Sequence, residues 1–302
     1  SVLIVLFQNI EYIAPHCARL GIIGHRFSLD RYKLTFKLSK LTYLIILLTG
    51  RKMKKICLLA TLVLSQNVFA DDIVQWWDVS ATVLHGENYD LAPSERQTTI
   101  TLETAGGWKY GDWFAFQDFI NFNGNNNGVD STTYGEISPR FSASKILGQP
   151  VSFGAIKDVS LALTYEEGEG PVNSMLYGIG VDLDVPFFSY LQLNTYRRDA
   201  ISSGNISDGW QFTPVFRIDM PVGNANIIFD GFIDWVFSAD NNGYDENLHI
   251  NPQIKYDLGK TLFGDHKQNK LLVGFEYDYW QSKYGVAGID QNTYSIIAQY
   301  HF

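Results

Sequence analysis

The sequence predicts an all-β fold: a transmembrane antiparallel β-barrel of outer-membrane type, with about twelve strands. Three observations predict it. After Ala70 apolar residues alternate with period two, in segments near ten residues separated by clusters of Gly, Asn, Asp and Ser. The same part of the chain lacks the roughly 18–20 consecutive apolar residues that a spanning helix needs. The last segment alternates up to an aromatic terminal residue, Phe302.

The front of the chain reads as processing. Residues 1–52 precede the first methionine, Met53, and are expected to be an upstream extension that is not native. Residues 53–70 have the form of a signal peptide: basic Lys54 and Lys55, an apolar stretch Ile56 to Leu64, then Val68-Phe69-Ala70. Cleavage is expected after Ala70, leaving a barrel over residues 71–302. The apolar stretch is about half the length of a spanning helix. Both cysteines, Cys17 and Cys57, lie in this front part, which removes disulfides and thiolate metal sites from the body and suits a bacterial envelope protein.

Charge divides at the same point. Ten bases and two acids fall in residues 1–70; taken from totals of 23 Lys+Arg and 32 Asp+Glu, they leave 13 bases and 30 acids in the body, a balance of 17 negative. So acidic a body argues against sequence-independent nucleic-acid binding, which needs Lys and Arg against phosphates.

In chain order, the first four strands are expected over Trp77 to Leu84, Thr98 to Ala105, Trp113 to Phe122 and Tyr134 to Phe141, with an ambiguous phase in the third that suits a bulge. In the fifth, Val159, Leu161, Leu163 and Tyr165 oppose Ser160, Ala162 and Thr164. In the sixth, Met175, Tyr177, Ile179, Val181 and Leu183 oppose Gly178, Gly180, Asp182 and Asp184. Tyr190 to Arg197 is the seventh. In the eighth, Trp210, Phe212, Pro214, Phe216, Ile218 and Met220 oppose Gln211, Thr213, Arg217 and Asp219. In the ninth, Ile227, Phe229, Ile233, Trp235 and Phe237 oppose Asn226, Asp230, Phe232 and Asp234.

The tenth is the clearest: Leu248, Ile250, Pro252, Ile254, Tyr256 and Leu258 face one way, His249, Asn251, Gln253, Lys255 and Asp257 the other. In the eleventh, Leu271, Val273, Phe275, Tyr277 and Tyr279 oppose Glu276, Asp278 and Trp280. Tyr294, Ile296, Ala298, Tyr300 and Phe302 close the twelfth in the manner of the terminal signal read by the barrel assembly machinery. A soluble sandwich would also alternate, but it needs no aromatic terminus, and an open edge in hydrocarbon would strand backbone groups. An even strand count puts both termini on one side. The short connections Gly106 to Asp112, Pro186 to Ser189 and Pro221 to Asn224 are expected there, in the periplasm. The longer ones, His85 to Arg96, Asn123 to Thr133, Arg198 to Gly209 and Ser238 to Asn247, are expected outside the cell.

Twelve strands imply a narrow pore. Its expected lining is Asp182, Asp184, Arg217, Asp230, Phe232, Asp234, Lys255, Glu276, Asp278 and Trp280. Acids outnumber Arg217 and Lys255, so the lumen should disfavour phosphates and favour neutral or cationic solutes. Aromatic rings beside carboxylates can stack a nucleobase, or a sugar's apolar face, and bind its hydroxyls. The alternative reading makes these charges structural ion pairs that fill the lumen. No cofactor is called for. The pairs Asp182/Asp184 and Glu276/Asp278 lack a full oxygen cage for a metal.

The block Glu136-Ile137-Ser138-Pro139-Arg140-Phe141-Ser142, with Val151-Ser152-Phe153-Gly154 and Lys157-Asp158, resembles a segment of the Tsx nucleoside-specific channels and the related OmpK-type envelope proteins. Gly178-Ile179-Gly180-Val181-Asp182, Asp208-Gly209-Trp210, Trp76-Trp77 and Asp112-Trp113-Phe114 are similar to that family as well. The resemblance implies a monomeric twelve-stranded channel for nucleosides and deoxynucleosides, with lumenal aromatic and ionisable residues binding them, often exploited as a receptor by phages or bacteriocins. Two other functions are weighed against a channel. A receptor barrel with little solute specificity would act through the long polar connections. A phospholipase-like enzyme would need a His-x-Ser pair, but His249-Ile250-Asn251 has Asn in the serine's place.

Overall fold

Alternation of side chains across twelve long strands builds a sheet that has nowhere to end except on itself. The computed structural model describes residues 73–124 and 127–302; the expected signal peptide and the extension before it lie outside them. The strands are β1 (Val74–Glu87), β2 (Arg96–Trp108), β3 (Gly111–Asn123), β4 (Ser131–Ser142), β5 (Ile156–Gly168) and β6 (Ser174–Leu183), then β7 (Tyr190–Ala200), β8 (Gly209–Val222), β9 (Ala225–Ala239), β10 (Asn247–Asp257), β11 (Leu271–Gln281) and β12 (Gln291–His301). Each pairs antiparallel with its sequence neighbours, and β1 pairs with β12 (Val83 opposite Ala298), closing the ring. Closure pairs every edge, which hydrocarbon demands.

The two faces differ as the period predicts. On β12, Gln291, Thr293, Ser295, Ile297 and Gln299 are buried, while Tyr294, Ile296, Ala298 and Tyr300 are exposed. Buried side chains of the barrel are mainly polar, including Glu166, Arg198, Asp257 and Gln291, whereas Ile179, Phe275 and Ile296 stand 58–60% exposed on the outside. Such a distribution is inverted for a protein in water and is what lipid requires. Aromatics band the outer wall at both ends. Trp108 meets Tyr110 and Phe141 edge-on, at 5.5 and 5.3 Å, near the termini; Tyr277, Tyr279 and Tyr294 cluster at the other end, where Trp235 and Phe237 stand 5.7 Å apart. Ile296→Arg is therefore expected to cost about 2–4 kcal/mol of folded stability in lipid vesicles, the penalty of a cation on the lipid face near mid-membrane; denaturant unfolding in vesicles measures it.

The strands run longer than their periodic segments. The backbone pairing of β1 and β2 continues past the periodic segments, from Val74 opposite Trp108 to Gly86 opposite Gln97. The bulge expected in Trp113 to Phe122 is absent: β3 keeps an unbroken register against both β2 and β4. Its phase is ambiguous because both faces are apolar, with Trp113, Ala115 and Phe119 toward lipid and Phe114, Phe116, Ile120 and Phe122 toward the lumen. Register shifts occur instead at Val74/Trp76, Ile156/Asp158 and Trp210/Gln211.

The connections sort by end as expected, but not purely by length. The termini share their end with tight turns such as Gly223-Asn224, where Gly223 takes φ 58. The same end also holds two long connections. Residues 143–155 contain helix α1 (Ala143–Leu147), capped by Ser142 Oγ accepting from Lys145 N at 3.0 Å. Residues 258–270 contain α2 (Leu258–Phe263), capped by Asp257 Oδ1 accepting from Lys260 N at 2.8 Å. Helix formation shortens the effective reach of both segments.

Candidate functional site

Sheet parity decides what the lumen contains, and hydrogen bonding decides which of those groups are free to meet a solute. Of the ten residues expected to line the pore, nine stand on the lumenal face of their strands. Asp184 is the exception: it lies just past β6, exposed in the turn at the termini end, because the strand stops at Leu183.

Toward the termini the charges are mutually satisfied. Arg140 Nη2 donates to Asp182, and its Nε lies 3.6 Å from Asp112. Arg217 donates twice to Asp219 at 2.9 Å, and its Nη1 is 4.0 Å from Asp230. Lys255 Nζ binds Asp230 at 2.8 Å and Gln299 at 3.2 Å; Gln299 Nε2 in turn donates to Glu103 at 2.8 Å, and Glu103 also accepts from Ser80 at 3.0 Å. For this half of the lumen the ion-pair reading holds. Asp182, Arg217, Asp230 and Lys255 brace the wall.

The other half is built differently. Arg198, on β7, grips Glu166 of β5 with two bonds of 2.7 Å and donates to Gln211 at 2.6 Å. Gln211 and Thr213 then donate to Asp234 at 2.8 and 2.6 Å. Three further carboxyl groups also accept from neutral partners: Asp118 from Thr101 at 2.6 Å, Glu136 from Tyr134 at 2.8 Å and Glu276 from Gln253 at 2.7 Å. Asp278 accepts from Gln291 at 3.0 Å and pairs with His249 Nε2 at 3.0 Å.

Aromatic rings interleave with these acids on two walls. On β9 to β11, Phe232 meets His249 edge-on at 5.0 Å, and His249 stacks on Trp280 at 3.9 Å and 11°. The two predicted rings are thus joined by His249, which is half-buried between them. Across the lumen, Phe114, Phe116 and Tyr134 form a ladder on β3 and β4 with centroid spacings of 5.9 Å. Glu136 of β4 and Asp234 of β9 are separated by four strands round the wall on the shorter side.

Sequence reasoning missed Arg140, Arg198, Phe114, Phe116 and Tyr134. Arg140 sits in the Pro139-Arg140-Phe141-Ser142 block that carries the family resemblance, and its parity with Glu136 would have placed it inside. Arg198 stands at a strand end where alternation fades, and the β3 rings were hidden by the apolar residues on the opposite face.

Comparison with known proteins follows the same lines. The family model of the nucleoside-specific channel-forming protein Tsx matches residues 74–302. The chain is similar to the nucleoside-specific channel-forming protein Tsx of Escherichia coli O157:H7, with 24% identity over 74% of this chain and 76% of that protein. The Tsx of Salmonella typhimurium is 25% identical over the same shares. Outer membrane protein OmpK of Vibrio parahaemolyticus is 26% identical over 50% of this chain and 57% of its own. With a family match spanning every strand of a closed, lipid-facing barrel, the chain belongs to the Tsx family of nucleoside-specific channel-forming outer-membrane proteins.

Proposed function

We propose that this barrel carries nucleosides, or small neutral solutes of the same chemistry, passively across the outer membrane through a narrow acidic and aromatic pore. One observation carries the reading: the carboxyl groups Asp118, Glu136, Asp234 and Glu276 are held by neutral donors rather than by bases, and they stand among rings on facing walls. Rings offer faces to a nucleobase, and carboxyl oxygens accept from ribose hydroxyls and exocyclic amines. The same oxygens disfavour a phosphate. Asp278 and Trp280 belong to this half, while Asp182, Arg217, Asp230 and Lys255 support the wall beneath it. The accompanying reading of the chain is a signal peptide removed after Ala70, a monomeric barrel over residues 71–302 with its termini in the periplasm, and recognition of Phe302 by the assembly machinery.

Single-channel conductance in planar bilayers, with adenosine or thymidine titrated in, tests the function. Nucleoside-dependent block is expected; ordinary ion conduction that no nucleoside perturbs would sink the specificity. Phe116→Ala is expected to weaken the blocking affinity by about 5- to 150-fold, the worth of about 1–3 kcal/mol for one base-stacking ring, with ion conductance retained.

A further inference from the structure

At the end of the barrel away from the termini, the connection between β11 and β12 holds an unusual residue. Lys283 is 3% exposed, yet its partners are neutral: Nζ donates to the backbone carbonyl of Asp90 at 2.9 Å and to Gln291 Oε1. Two rings flank it, Tyr284 at 4.9 Å and Tyr89 at 5.9 Å from Nζ to centroid. Burying an ammonium without a carboxylate partner is costly, so the fold holds it there for what it fastens.

It fastens three connections. Gln291 Oε1 also accepts from Asp90 N at 2.8 Å, Tyr89 OH bonds Ser295 Oγ at 2.8 Å and Thr293 donates to Asn88 O at 2.8 Å, tying residues 88–95 to β12. On the other side Asp245 N donates to Gly285 O at 2.8 Å, tying in residues 240–246. The backbone around Lys283 is strained to allow this: Ser282 and Tyr284 take φ of 49 and 56. Gly285 (φ 74) has no room for a side chain, since a Cβ there would lie 2.2 Å from the Tyr244 ring. What the strain achieves is the placement of Tyr284, which remains 59% exposed and stands edge-on over Trp280 at 5.0 Å, on the way to the lumenal rings.

We propose that Lys283 is a positioning residue of the pore mouth: by clamping residues 282–290 to residues 88–95 it stands Tyr284 over Trp280 and sets the width of the passage to the lumenal rings. The proposal rests on the lumen being the solute path. It adds that admission is controlled at this clamp.

Titration gives a signature that a merely structural lysine would lack. Burial pushes the Lys283 amine down to about 8, against the pull of the Asp278 and Asp90 carboxylates. The other titratable groups facing the clamp are Tyr89, Tyr284, Tyr244, Asp245 and Asp290; burial raises Tyr89 and Tyr244, which keeps those two from ionising in the same range. Unclamping returns the amine to water, where it is protonated up to about 10.5. The open state therefore binds the extra proton between about pH 8 and 10.5, and rising pH in that window favours the clamped state by up to about tenfold per unit.

The test uses the refolded mature chain in planar bilayers, with liposome swelling by sugars of increasing size. Lys283→Met and Tyr284→Ala are each expected to raise conductance and admit larger sugars. Wild-type conductance is expected to fall from pH 8 to 9.5, and Lys283→Arg, charged throughout, to lose that step. Folded Lys283→Met barrels with wild-type conductance, size cut-off and pH response would overturn the proposal. If Lys283→Met fails to fold, Tyr284→Ala and the wild-type pH profile decide in its place. Absence of adenosine block in the wild type, alongside a widened Lys283→Met pore, would remove the nucleoside reading and leave the clamp standing.

Discussion

Replacing Arg198 by Met is expected to cost the barrel about 3–5 kcal/mol, because Glu166 is left buried with its charge uncompensated. The guanidinium makes two bonds of 2.7 Å to that carboxylate and, through Gln211, orders Asp234. Urea unfolding in lipid vesicles measures the loss. The double variant Arg198→Met/Glu166→Gln should recover much of it, since the desolvated charge is then gone. Equal losses in the single and double variants would mean that packing of the Arg198 stem, and not the ion pair, holds β5, β7 and β8 in place. A second consequence follows from the chain of bonds: with Gln211 released, Asp234 loses a fixed donor, and nucleoside block should weaken even in barrels that remain folded.

Neutralising the lumenal acids should have the largest effect on permeation. The variant Asp118→Asn/Asp234→Asn/Glu276→Gln preserves side-chain volume and the hydrogen bonds to Thr101, Thr213 and Gln253. It is expected to lower the preference for cations over anions by up to about tenfold, the low end of what a focused lumenal field supplies. Reversal potentials in a salt gradient report it. The matching change at the termini end, Asp182→Asn, should mainly cost stability, since Asp182 is engaged with Arg140. An equal loss of selectivity from Asp182→Asn would show that the ion-paired belt, and not the acids held by neutral donors, sets the field.

How legible the lumen was depended on the strand. In β10 one face is polar and the other apolar along the whole membrane band, and the inward His249, Asn251, Gln253, Lys255 and Asp257 were all named from the sequence. In β3 both faces are apolar for different reasons, lipid on one side and a ring ladder on the other. A hydropathy pattern cannot separate those reasons, and the ladder Phe114–Phe116–Tyr134 stayed hidden. Asp184 shows the opposite failure: its parity was right, but the strand ended one residue too soon. Lys283 sits in a connection, where no period exists to be read.

The sequence by itself determined that the chain closes into a barrel, how many strands it uses, which face meets lipid and which family it resembles. Those properties are written in a period of two that pairing across the sheet merely repeats. Only the tertiary structure decided which lumenal charges are spent on one another. Arg140 meets Asp182 across one intervening strand, as Arg198 meets Glu166, through the curvature of the closed wall. Partnership across a lumen is set by strand register and tilt, which bring together residues far apart in the chain. For that reason the acids that brace the wall and those that remain for a solute look alike in one dimension and differ in three.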